Sequence, residues 1–356
     1  MRFIILSVLV FSFCLYAKSG PYKKSMLNPY SSISVKDKNL DSNKNIGYSW
    51  EQKTPSPTAF ARGSFALING KFYVFSRTNN IRHAYDYSAN SWTEVTNDPG
   101  PNLYSTFGDN GTKLYCWGGA NPMTAVLRIY DTTSDKWDSF SDPHPFGSYI
   151  YAGRAFPLDS NRMFIIPGST STTMDVASNK CYIYNISTAT YTQAPDMPFA
   201  LYGFAAIKDG NQIVVLGGKN TAQARTKYCL IYYISSSTWV NLAGAYLPED
   251  TWQGAVVKTG NSYYYIGGGN GNSSDPCSNK VYRWNGSTWA QDTNLPYYGG
   301  TIAAVSPDNN RILIFGGLGS PSNPNNGYPL NLCYMSSNTG IRKLTWGEIK
   351  QTFIDK

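Results

Sequence analysis

The sequence has few charged residues and very few histidines. Asp, Glu, Lys and Arg make up only 15% of its 356 residues, and His83 and His144 are the two histidines. A coiled coil or a long-helix protein would be rich in Ala, Glu, Lys and Leu, so this composition excludes that class. Two histidines without H-x-x-x-H spacing give no support to a histidine metal site. We therefore expect no metal and no other cofactor.

Cysteine pairs of the C-x-x-C type are also absent, which argues against a structural zinc site and against a thioredoxin-like motif. Cys14 lies within an N-terminal apolar run, and five cysteines follow it: Cys116, Cys181, Cys229, Cys277 and Cys333. In an oxidising compartment, an odd number leaves at least one free thiol or an intermolecular bond. The sequence leaves the disulfide connectivity open.

Long apolar runs are missing after residue 16. Arg2 precedes an uncharged stretch over residues 3–16, and small residues such as Ala17 and Ser19 follow it. A membrane anchor needs about 17–25 apolar residues. The shorter run therefore predicts a secretory signal peptide over residues 1–19. We expect a secreted protein, extracellular or luminal, without a membrane span.

Residues 20–46 predict a flexible basic leader, because the stretch is rich in Ser and Asn, has an excess of Lys and lacks periodicity. Part of the formal net charge of +8 lies there, so the remaining chain is only mildly basic. A charge of this size does not indicate a nucleic-acid partner, and secretion argues further against one.

Four N-x-S/T sequons fit a secretory route and predict N-glycosylation, although such tripeptides also arise by chance. They begin at Asn110, Asn185, Asn272 and Asn285.

A repeat with a period of 42 to 50 residues runs through most of the chain. Each copy has a strand of small residues, a turn, an apolar strand, a loop and a Tyr-containing strand. Four of the apolar strands end at glycine pairs, at residues 118–119, 217–218, 267–268 and 316–317. Such internal similarity at a fixed period indicates a repeat architecture.

An aromatic residue follows a tyrosine at an offset of seven residues in five of the copies. The pairs are Tyr85–Trp92, Tyr130–Trp137, Tyr184–Tyr191, Tyr232–Trp239 and Tyr282–Trp289. In the sixth copy, Tyr334 precedes Ile341 at the same offset. Turn-forming residues lie between the members of these pairs and predict β-hairpins.

These repeats resemble the kelch repeat, whose units are four-stranded blades of a β-propeller. The resemblance covers about residues 48–344. It implies an all-β fold, a six-bladed kelch-type β-propeller over residues 47–344 with four antiparallel strands in each blade. Stacking such blades around an axis buries both faces of every sheet.

The strand that completes the last blade has two candidates. Trp50 lies 42 residues before Trp92 and favours an N-terminal outer strand, while residues 341–344 compete for the same place. The remaining residues, 345–356, predict a C-terminal tail. Capping-box spacing at residues 345–348 favours a short helix there.

In a four-stranded blade, the loop that enters the first strand and the loop after the second strand lie on one face. Aromatic faces stack on sugar rings or apolar peptide groups, and Arg side chains bind carboxylates or sulfates. We predict a carbohydrate or an extracellular protein as ligand at this mouth of the central channel, although its aromatic residues could instead pack between blades. The predicted ligand-binding residues are Arg62, Arg77, Tyr104, Tyr151, Tyr202, Trp252 and Tyr298, and the longer loops add Arg82, His83 and Arg225.

Enzymes with this type of propeller are matched less well than a binding module. Galactose-oxidase-like copper enzymes use two His and a Tyr cross-linked to a Cys, and no such set is identifiable. Plant specifier proteins use an E-x-x-x-D-x-x-x-H iron motif; Glu94 and Asp98 match it, but Asn102 replaces the histidine. The alternative to a binding module is a mutarotase that resembles periplasmic sialic-acid mutarotases. Anomerisation needs a general base, for which Glu249 and Asp250 are the candidates.

Overall fold

A computed structural model describes residues 48–100, 103–120, 124, 126–140, 144–147, 149–171 and 176–337. The expected signal peptide, basic leader and C-terminal tail lie outside these residues. Within them the chain forms β-strands and two short 3-10 helices, Thr78–Asn80 and Ala243–Ala245, and no α-helix. The described part of the chain is therefore all-β.

The first five strands are β1 (Trp50–Gln52), β2 (Ser64–Ile68), β3 (Lys71–Ser76), β4 (Ile81–Asp86) and β5 (Ser91–Glu94). Strands β2 to β5 form a four-stranded antiparallel sheet in chain order. The next eight strands are β6 (Thr106–Asp109), β7 (Lys113–Trp117), β8 (Leu127–Asp131), β9 (Lys136–Phe140), β10 (Arg154–Pro157), β11 (Arg162–Ile166), β12 (Cys181–Asn185) and β13 (Thr190–Ala194). They form two antiparallel sets of four, joined into one sheet where β6 and β10 run parallel.

Two further four-stranded antiparallel sheets follow in chain order. Their strands are β14 (Ala205–Asp209), β15 (Gln212–Leu216), β16 (Cys229–Tyr233), β17 (Thr238–Asn241), β18 (Ala255–Thr259), β19 (Ser262–Ile266), β20 (Val281–Trp284) and β21 (Trp289–Gln291). The last strands are β22 (Tyr298–Gly300), β23 (Ala303–Val305), β24 (Leu313–Phe315), β25 (Leu318–Ser320), β26 (Tyr328–Pro329) and β27 (Cys333–Ser336). Strands β22, β25 and β26 form a small three-stranded sheet.

The final four-stranded sheet has the order β1-β27-β24-β23, so its outer strand comes from the N-terminal end of the described chain. Trp50 lies opposite Ser336 in the antiparallel register of β1 and β27. This confirms the expected N-terminal outer strand; the competing residues 341–344 lie outside the described part. Rings also join this sheet to the first one, because Trp92 and Phe315 have centroids 4.8 Å apart.

The seven-residue offset is a cross-strand pair in four copies. Tyr85 lies opposite Trp92, and the equivalent residues of β8–β9, β12–β13 and β16–β17 pair in the same way. The β20–β21 hairpin departs from this register: Trp284 lies opposite Trp289, and Tyr282 lies opposite Gln291.

The hydrophobic core lies between neighbouring sheets, where aromatic rings of one four-stranded set contact those of the next. Phe75 and Tyr130 have ring centroids 4.8 Å apart, and Phe164 and Tyr232 are 4.3 Å apart. All four side chains are buried. Burial of such large aromatic surfaces between sheets is a main source of stability.

The first glycine of each Gly-Gly pair permits a close approach to the next sheet. Gly118 has φ +60, and a Cβ there would lie 2.2 Å from the carbonyl oxygen of Ile150. Gly267 has φ +62, and its Cβ would lie 2.3 Å from the carbonyl oxygen of Gly299. Any side chain would clash with that backbone, so the repeated glycines follow from the packing of consecutive repeats.

Candidate functional site

Backbone hydrogen bonds link, in a row, the six residues that lie two positions before the strands β2, β6, β10, β14, β18 and β23. Each adopts a left-handed conformation, with φ between 53° and 61°. The N–H of each, from the second to the sixth, donates to the carbonyl oxygen of the equivalent residue one repeat earlier, at 2.5–3.0 Å. These bonds offset the cost of about 1–2 kcal/mol for a side-chain-bearing residue in that conformation. The six residues, which we call the neck, are Arg62, Tyr104, Ala152, Gly203, Gln253 and Thr301.

The neck encloses a narrow space of about 50 Å³, which is lined by all six of these residues. Since one water molecule occupies about 30 Å³ in the liquid, this space holds no sugar or organic acid. A wider space opens on each side of it, and several of the predicted ligand-binding residues lie on one side.

That side carries a cavity of about 270 Å³, which we call the cleft. Of the seven predicted ligand-binding residues, the structure brings five together there. The residues that line the cleft are Arg62, Tyr104, Tyr151, Ala152, Tyr202, Lys219, Gln223, Trp252, Gln253 and Asn270.

The other two predicted residues do not line the cleft. Arg77 follows β3 and borders a separate groove with Asn80 and Asp98. Tyr298 begins β22 and is half-buried. Arg77 lies in a loop after a second strand, as expected, but Tyr298 lies in a strand, and neither joins the five residues that the fold brings together.

Arg82 and His83 lie elsewhere than expected, because both are within strand β4 rather than in a loop. Arg82 Nη2 forms an ion pair with Glu94 Oε1 at 2.5 Å. His83 is buried, and burial lowers the pKa of its imidazole below the usual 6.5. Successive side chains of a strand point to opposite faces of the sheet. His83 is buried in the packed interior and Arg82 is paired with Glu94, so neither reaches the cleft.

Trp252 is part of the cleft wall and is almost covered. Only 8% of its surface is exposed, and Lys219 Nζ lies 3.6 Å from the centroid of its ring. The indole N–H donates to Asp275 Oδ2 at 2.7 Å, and Arg225 Nη2 pairs with the other carboxylate oxygen at 2.6 Å. Lys219 Nζ is 3.6 Å from the same carboxylate. The Lys219 ammonium group over the ring and the Asp275 carboxylate at the N–H therefore hold the indole in place.

Arg62 and Gln253 present polar atoms that the described protein residues leave without a hydrogen-bond partner. Arg62 Nη2 donates to Asn270 Oδ1 at 2.8 Å, and the guanidinium lies 5.4 Å from the ring centroid of Tyr104. Gln253 Nε2 donates to the Tyr104 hydroxyl at 3.3 Å. Arg62 Nε and Gln253 Oε1 are buried, and neither has a partner among the described side chains and backbone.

Tyrosine hydroxyls supply further polar groups. Burial raises the pKa of Tyr104, and the nearby Arg62 guanidinium offsets part of that effect. The phenol therefore stays protonated at neutral pH and can donate a hydrogen bond. Tyr202 donates its hydroxyl proton to Gln223 Oε1 across the cleft lining. No Asp or Glu is among the residues known to line the cleft.

Lys219, Gln223, Gln253 and Asn270 were not singled out from the sequence. A usable signal existed for two of them, because Lys219 follows Gly217-Gly218 and Asn270 follows Gly267-Gly268-Gly269. Both lie in the loop after a second strand, the position that identified Arg77. No comparable pattern marks Gln223. Gln253 directly follows Trp252, but it has no aromatic ring and so lacks the feature by which Trp252 was selected.

The acidic residues considered for catalysis are held elsewhere. Glu249 Oε2 pairs with Lys280 Nζ at 2.5 Å, and neither Glu249 nor Asp250 lines the cleft. Asp98 pairs with Arg128 at 2.9 Å. Asn102, the third position of the iron motif, lies outside the described residues. Among the residues that the structure covers, no cluster of three or more His, Cys, Asp or Glu could hold a metal ion.

All five described cysteines are free and buried, so no disulfide occurs in the described part of the chain. Burial raises the pKa of the thiol to about 12 for Cys116, Cys229 and Cys333 and to about 11 for Cys277. Such thiols are poor nucleophiles and poor metal ligands at neutral pH.

The sequons lie in turns, where their asparagines already form local hydrogen bonds. The side-chain carbonyl of Asn110 accepts the backbone N–H of Thr112 and of Lys113, and Asn285 accepts those of Ser287 and Thr288. Asn272 and Asn285 are exposed, whereas Asn110 and Asn185 are half-buried. Turn formation alone explains why Asn is favoured at these positions.

Within the described residues, no helix is long and apolar enough to cross a membrane.

Comparison with known proteins supports the fold. No family model matches the chain. The spermatocyte protein spe-26 of Caenorhabditis elegans is 24% identical over 196 residues, which are 50% of this chain and 32% of that protein, so the chain spans about a third of its length. The solved structure of YjhT, a β-propeller, superposes with a TM-score of 0.66 at 17% identity and covers 80% of this chain and 96% of YjhT. The all-β architecture together with this likeness shows a β-propeller fold.

Proposed function

We propose that the chain is a secreted, six-bladed kelch-type propeller that binds a carbohydrate with an acidic group in the cleft. The observation that carries this proposal is the pair of buried atoms, Arg62 Nε and Gln253 Oε1, without partners among the described residues. A buried polar group without a partner costs about 1–3 kcal/mol. Both side chains line the cleft, so a rotation that turns these atoms towards the cavity would let a ligand accept from Arg62 and donate to Gln253.

The six-bladed arrangement is supported by the sheet topology. Six sets of four antiparallel strands follow one another, two of them joined through β6 and β10, and the last set includes β1. Contact between Trp92 and Phe315 then links the first set to the last. The neck contains one residue from each set, as expected for six units around one axis.

The polar groups of the cleft favour a sugar. Tyr104 and Tyr202 provide phenols, Gln253 and Asn270 provide amides, and sugar hydroxyls both donate and accept hydrogen bonds. The cleft volume of about 270 Å³ is close to the lower end of the range of about 300–1,000 Å³ for small-molecule sites. One or two sugar rings fit this size better than an extended polymer, and a terminal glycan residue of an extracellular protein is an equivalent ligand.

The charge of the cleft favours an acidic sugar. Arg62 and Lys219 line it, Arg225 lies behind Lys219 and Trp252, and Asp275 is the carboxylate that contacts this group. Cations thus outnumber carboxylates. A guanidinium binds carboxylate and sulfate oxygens through charge-assisted hydrogen bonds, which are about twice as strong as neutral ones.

A sugar mutarotase at the same cleft is the second candidate. The observation that favours it is Asp275, a buried carboxylate hydrogen-bonded to the cleft residue Trp252. Its carboxylate oxygens, however, already contact the Trp252 indole N–H, Lys219 and Arg225, so protein groups occupy the positions from which it would act on a sugar. Binding without turnover therefore remains the better-supported function.

The test is a glycan-array screen of the full chain recovered from the medium of secreting cells, followed by calorimetry on each selective hit. Arg62→Ala is expected to weaken binding of an acidic sugar by about tenfold or more, the typical effect of losing a charge-assisted hydrogen bond. Arg77→Ala is the control, because it removes an arginine that follows β3 and lies outside the cleft, beside a separate groove. Equal affinity of the wild type and Arg62→Ala would contradict the proposal.

The same sugar separates the two candidates. Proton NMR of its anomers reports exchange directly, and a binding protein leaves the exchange rate unchanged when substoichiometric. Faster exchange that Asp275→Asn abolishes would replace the binding function by the mutarotase. Retention of the protein inside the cells would contradict the proposed secretion.

A further inference from the structure

On the side of the neck opposite the cleft lies a second cavity of about 520 Å³, which we call the channel. It is lined by residues in or next to the strands β2, β6, β10, β14, β18 and β23. Apolar side chains line much of it, including Phe65, Phe107, Phe156 and Ile207. Its volume lies within the range of about 300–1,000 Å³ for small-molecule sites. The small space at the neck, about 50 Å³, shares lining residues with both the channel and the cleft and so lies between them.

Arg154 lines both the neck and the channel. Its guanidinium carbon lies 4.0 Å from the ring centroid of Phe107 and 5.5 Å from that of Phe65. Nη1 donates to the carbonyl oxygen of Gly153 at 3.0 Å. The two rings cover the guanidinium without satisfying its remaining N–H groups, since aromatic rings attract cations but are weak acceptors.

Arg154 has no carboxylate partner among the described residues, unlike Arg128, which pairs with Asp98, and Arg225, which pairs with Asp275. Burial lowers the pKa of Arg154 to about 10, so the side chain remains charged at neutral pH. Arg154 is partly exposed where it lines the channel, so an anion there can reach a guanidinium that no described carboxylate compensates.

The repeat does not require an arginine at this position. Arg154 is the first residue of β10, and it lies opposite Ile166, the last residue of β11. The residues in the same register of the other five sets are all small: Ser64, Thr106, Ala205, Ala255 and Ala303. The propeller is therefore built five times without a charge at this place, which sets Arg154 apart from the residues that the fold itself needs.

We propose that the channel is a second ligand site, in which Arg154 binds the carboxylate of a small organic acid whose apolar body packs against Phe65, Phe107 and Phe156. The guanidinium provides the planar donor set that a carboxylate accepts. Since the neck is too narrow, the acid enters from the opposite end, where Lys208 and Ser306 line the channel. This site does not depend on the sugar-binding function of the cleft.

The other charges of the channel are compatible with an anion. Lys258 pairs with Asp209 at 2.7 Å, and Lys208 adds a further cation. Asp109 lies two residues beyond Phe107 on β6, and burial raises the pKa of its carboxyl above its usual value. The acidic group is thus displaced along the strand from Arg154 by about 7 Å, the rise of two residues.

The probe is 4-fluorophenylacetate, followed by fluorine NMR with the full chain, and its neutral counterpart is 4-fluorophenylacetamide. The acid is expected to bind at least about tenfold more tightly than the amide, and Arg154→Met is expected to weaken binding of the acid by a similar factor. Arg77→Met, the same substitution outside both cavities, should leave the affinity unchanged. Equal binding of acid and amide, equal binding by Arg154→Met, or no binding by the wild type up to about 10 mM would each overturn the proposal.

A melting curve separates ligand binding from a purely structural role of Arg154. Removal of an uncompensated charge should leave the melting temperature of Arg154→Met unchanged or raised. A lowered melting temperature together with unchanged affinity for the acid would show that Arg154 only supports the packing of Phe107, and would overturn the proposal.

Discussion

Lys219 lies directly over the indole of Trp252, with its Nζ 3.6 Å from the ring centroid, and both side chains contact the carboxylate of Asp275. The sequence suggested Trp252 as an open surface on which a sugar would stack. In the structure, the ring is instead almost fully buried beneath the Lys219 ammonium group. A ligand in the cleft therefore contacts Lys219 first, and Trp252 determines where Lys219 is held.

This arrangement predicts opposite effects of Asp275→Asn on stability and on binding. The substitution leaves Lys219 and Arg225 without their carboxylate, which should lower the free energy of unfolding by about 1–3 kcal/mol. The cleft becomes more positive at the same time, so an acidic sugar should bind more tightly. Urea unfolding and calorimetry measure the two effects.

Asp196→Asn is the control for this prediction, because Asp196 pairs with Lys180 at 2.5 Å on the exposed surface. We expect little change in stability and none in binding there. Weaker binding of the acidic sugar by Asp275→Asn would contradict the electrostatic explanation of the cleft.

Gly203 and Gly210 provide a matched test of packing at the neck. Both have positive φ, +61 and +56, so alanine at either position costs about 1–2 kcal/mol of backbone strain. A Cβ on Gly203 would also lie 3.0 Å from Trp252 Cε3, whereas a Cβ on Gly210 meets nothing within 4 Å. Gly203→Ala should therefore be the more destabilising variant and should alone weaken ligand binding. Urea unfolding and calorimetry of both variants measure this, and equal effects would contradict it.

Much of the fold follows from local sequence signals. Glycine pairs predict close approach between repeats, and the structure places Ile150 and Gly299 against two of them. The offset between Tyr85 and Trp92 corresponds to a cross-strand pair. These signals are readable because each depends on a short segment and recurs in most copies.

The cleft was predicted less completely, for a physical reason. Five of its residues could be placed because they occupy two adjacent positions of the repeat, just before the first strand of each set. The ion pairs of Asp275, however, depend on Lys219 and Arg225 from the neighbouring set, and no spacing within one repeat encodes that contact. Arg154 could have been found by aligning the six copies, since it alone replaces a small residue in its register.

His83 predicts a pH dependence of stability. Burial lowers the pKa of its imidazole below 6.5, with the opposing charges of Glu94 and Arg82 as smaller influences. Below pH 6.5 the unfolded chain binds a proton at His83 more readily than the folded chain does. The neutral His83 therefore contributes fully to the free energy of unfolding above pH 6.5. This contribution is lost as the pH falls towards the lowered pKa of the folded protein, and the free energy of unfolding changes by at most about 1.4 kcal/mol per pH unit.

His83→Gln should therefore reduce the loss of stability between pH 7 and pH 5, measured as the free energy of unfolding in urea. The difference between wild type and variant cancels the titration of the carboxyl groups that the two proteins share. Parallel pH profiles of the two proteins would show that His83 does not carry this dependence.

The buried cysteines predict a labelling pattern that also reports on removal of the predicted signal peptide. Their raised pKa values keep the thiols protonated at pH 8, and burial keeps them from reagents, so iodoacetamide should add nothing to the native protein within minutes. After unfolding in urea without a reductant, mass spectrometry should find five adducts if the signal peptide with Cys14 has been removed, and six if it is retained. Fewer than five adducts would reveal a disulfide. That result would contradict the free thiols, because no reagent that reduces disulfides is present.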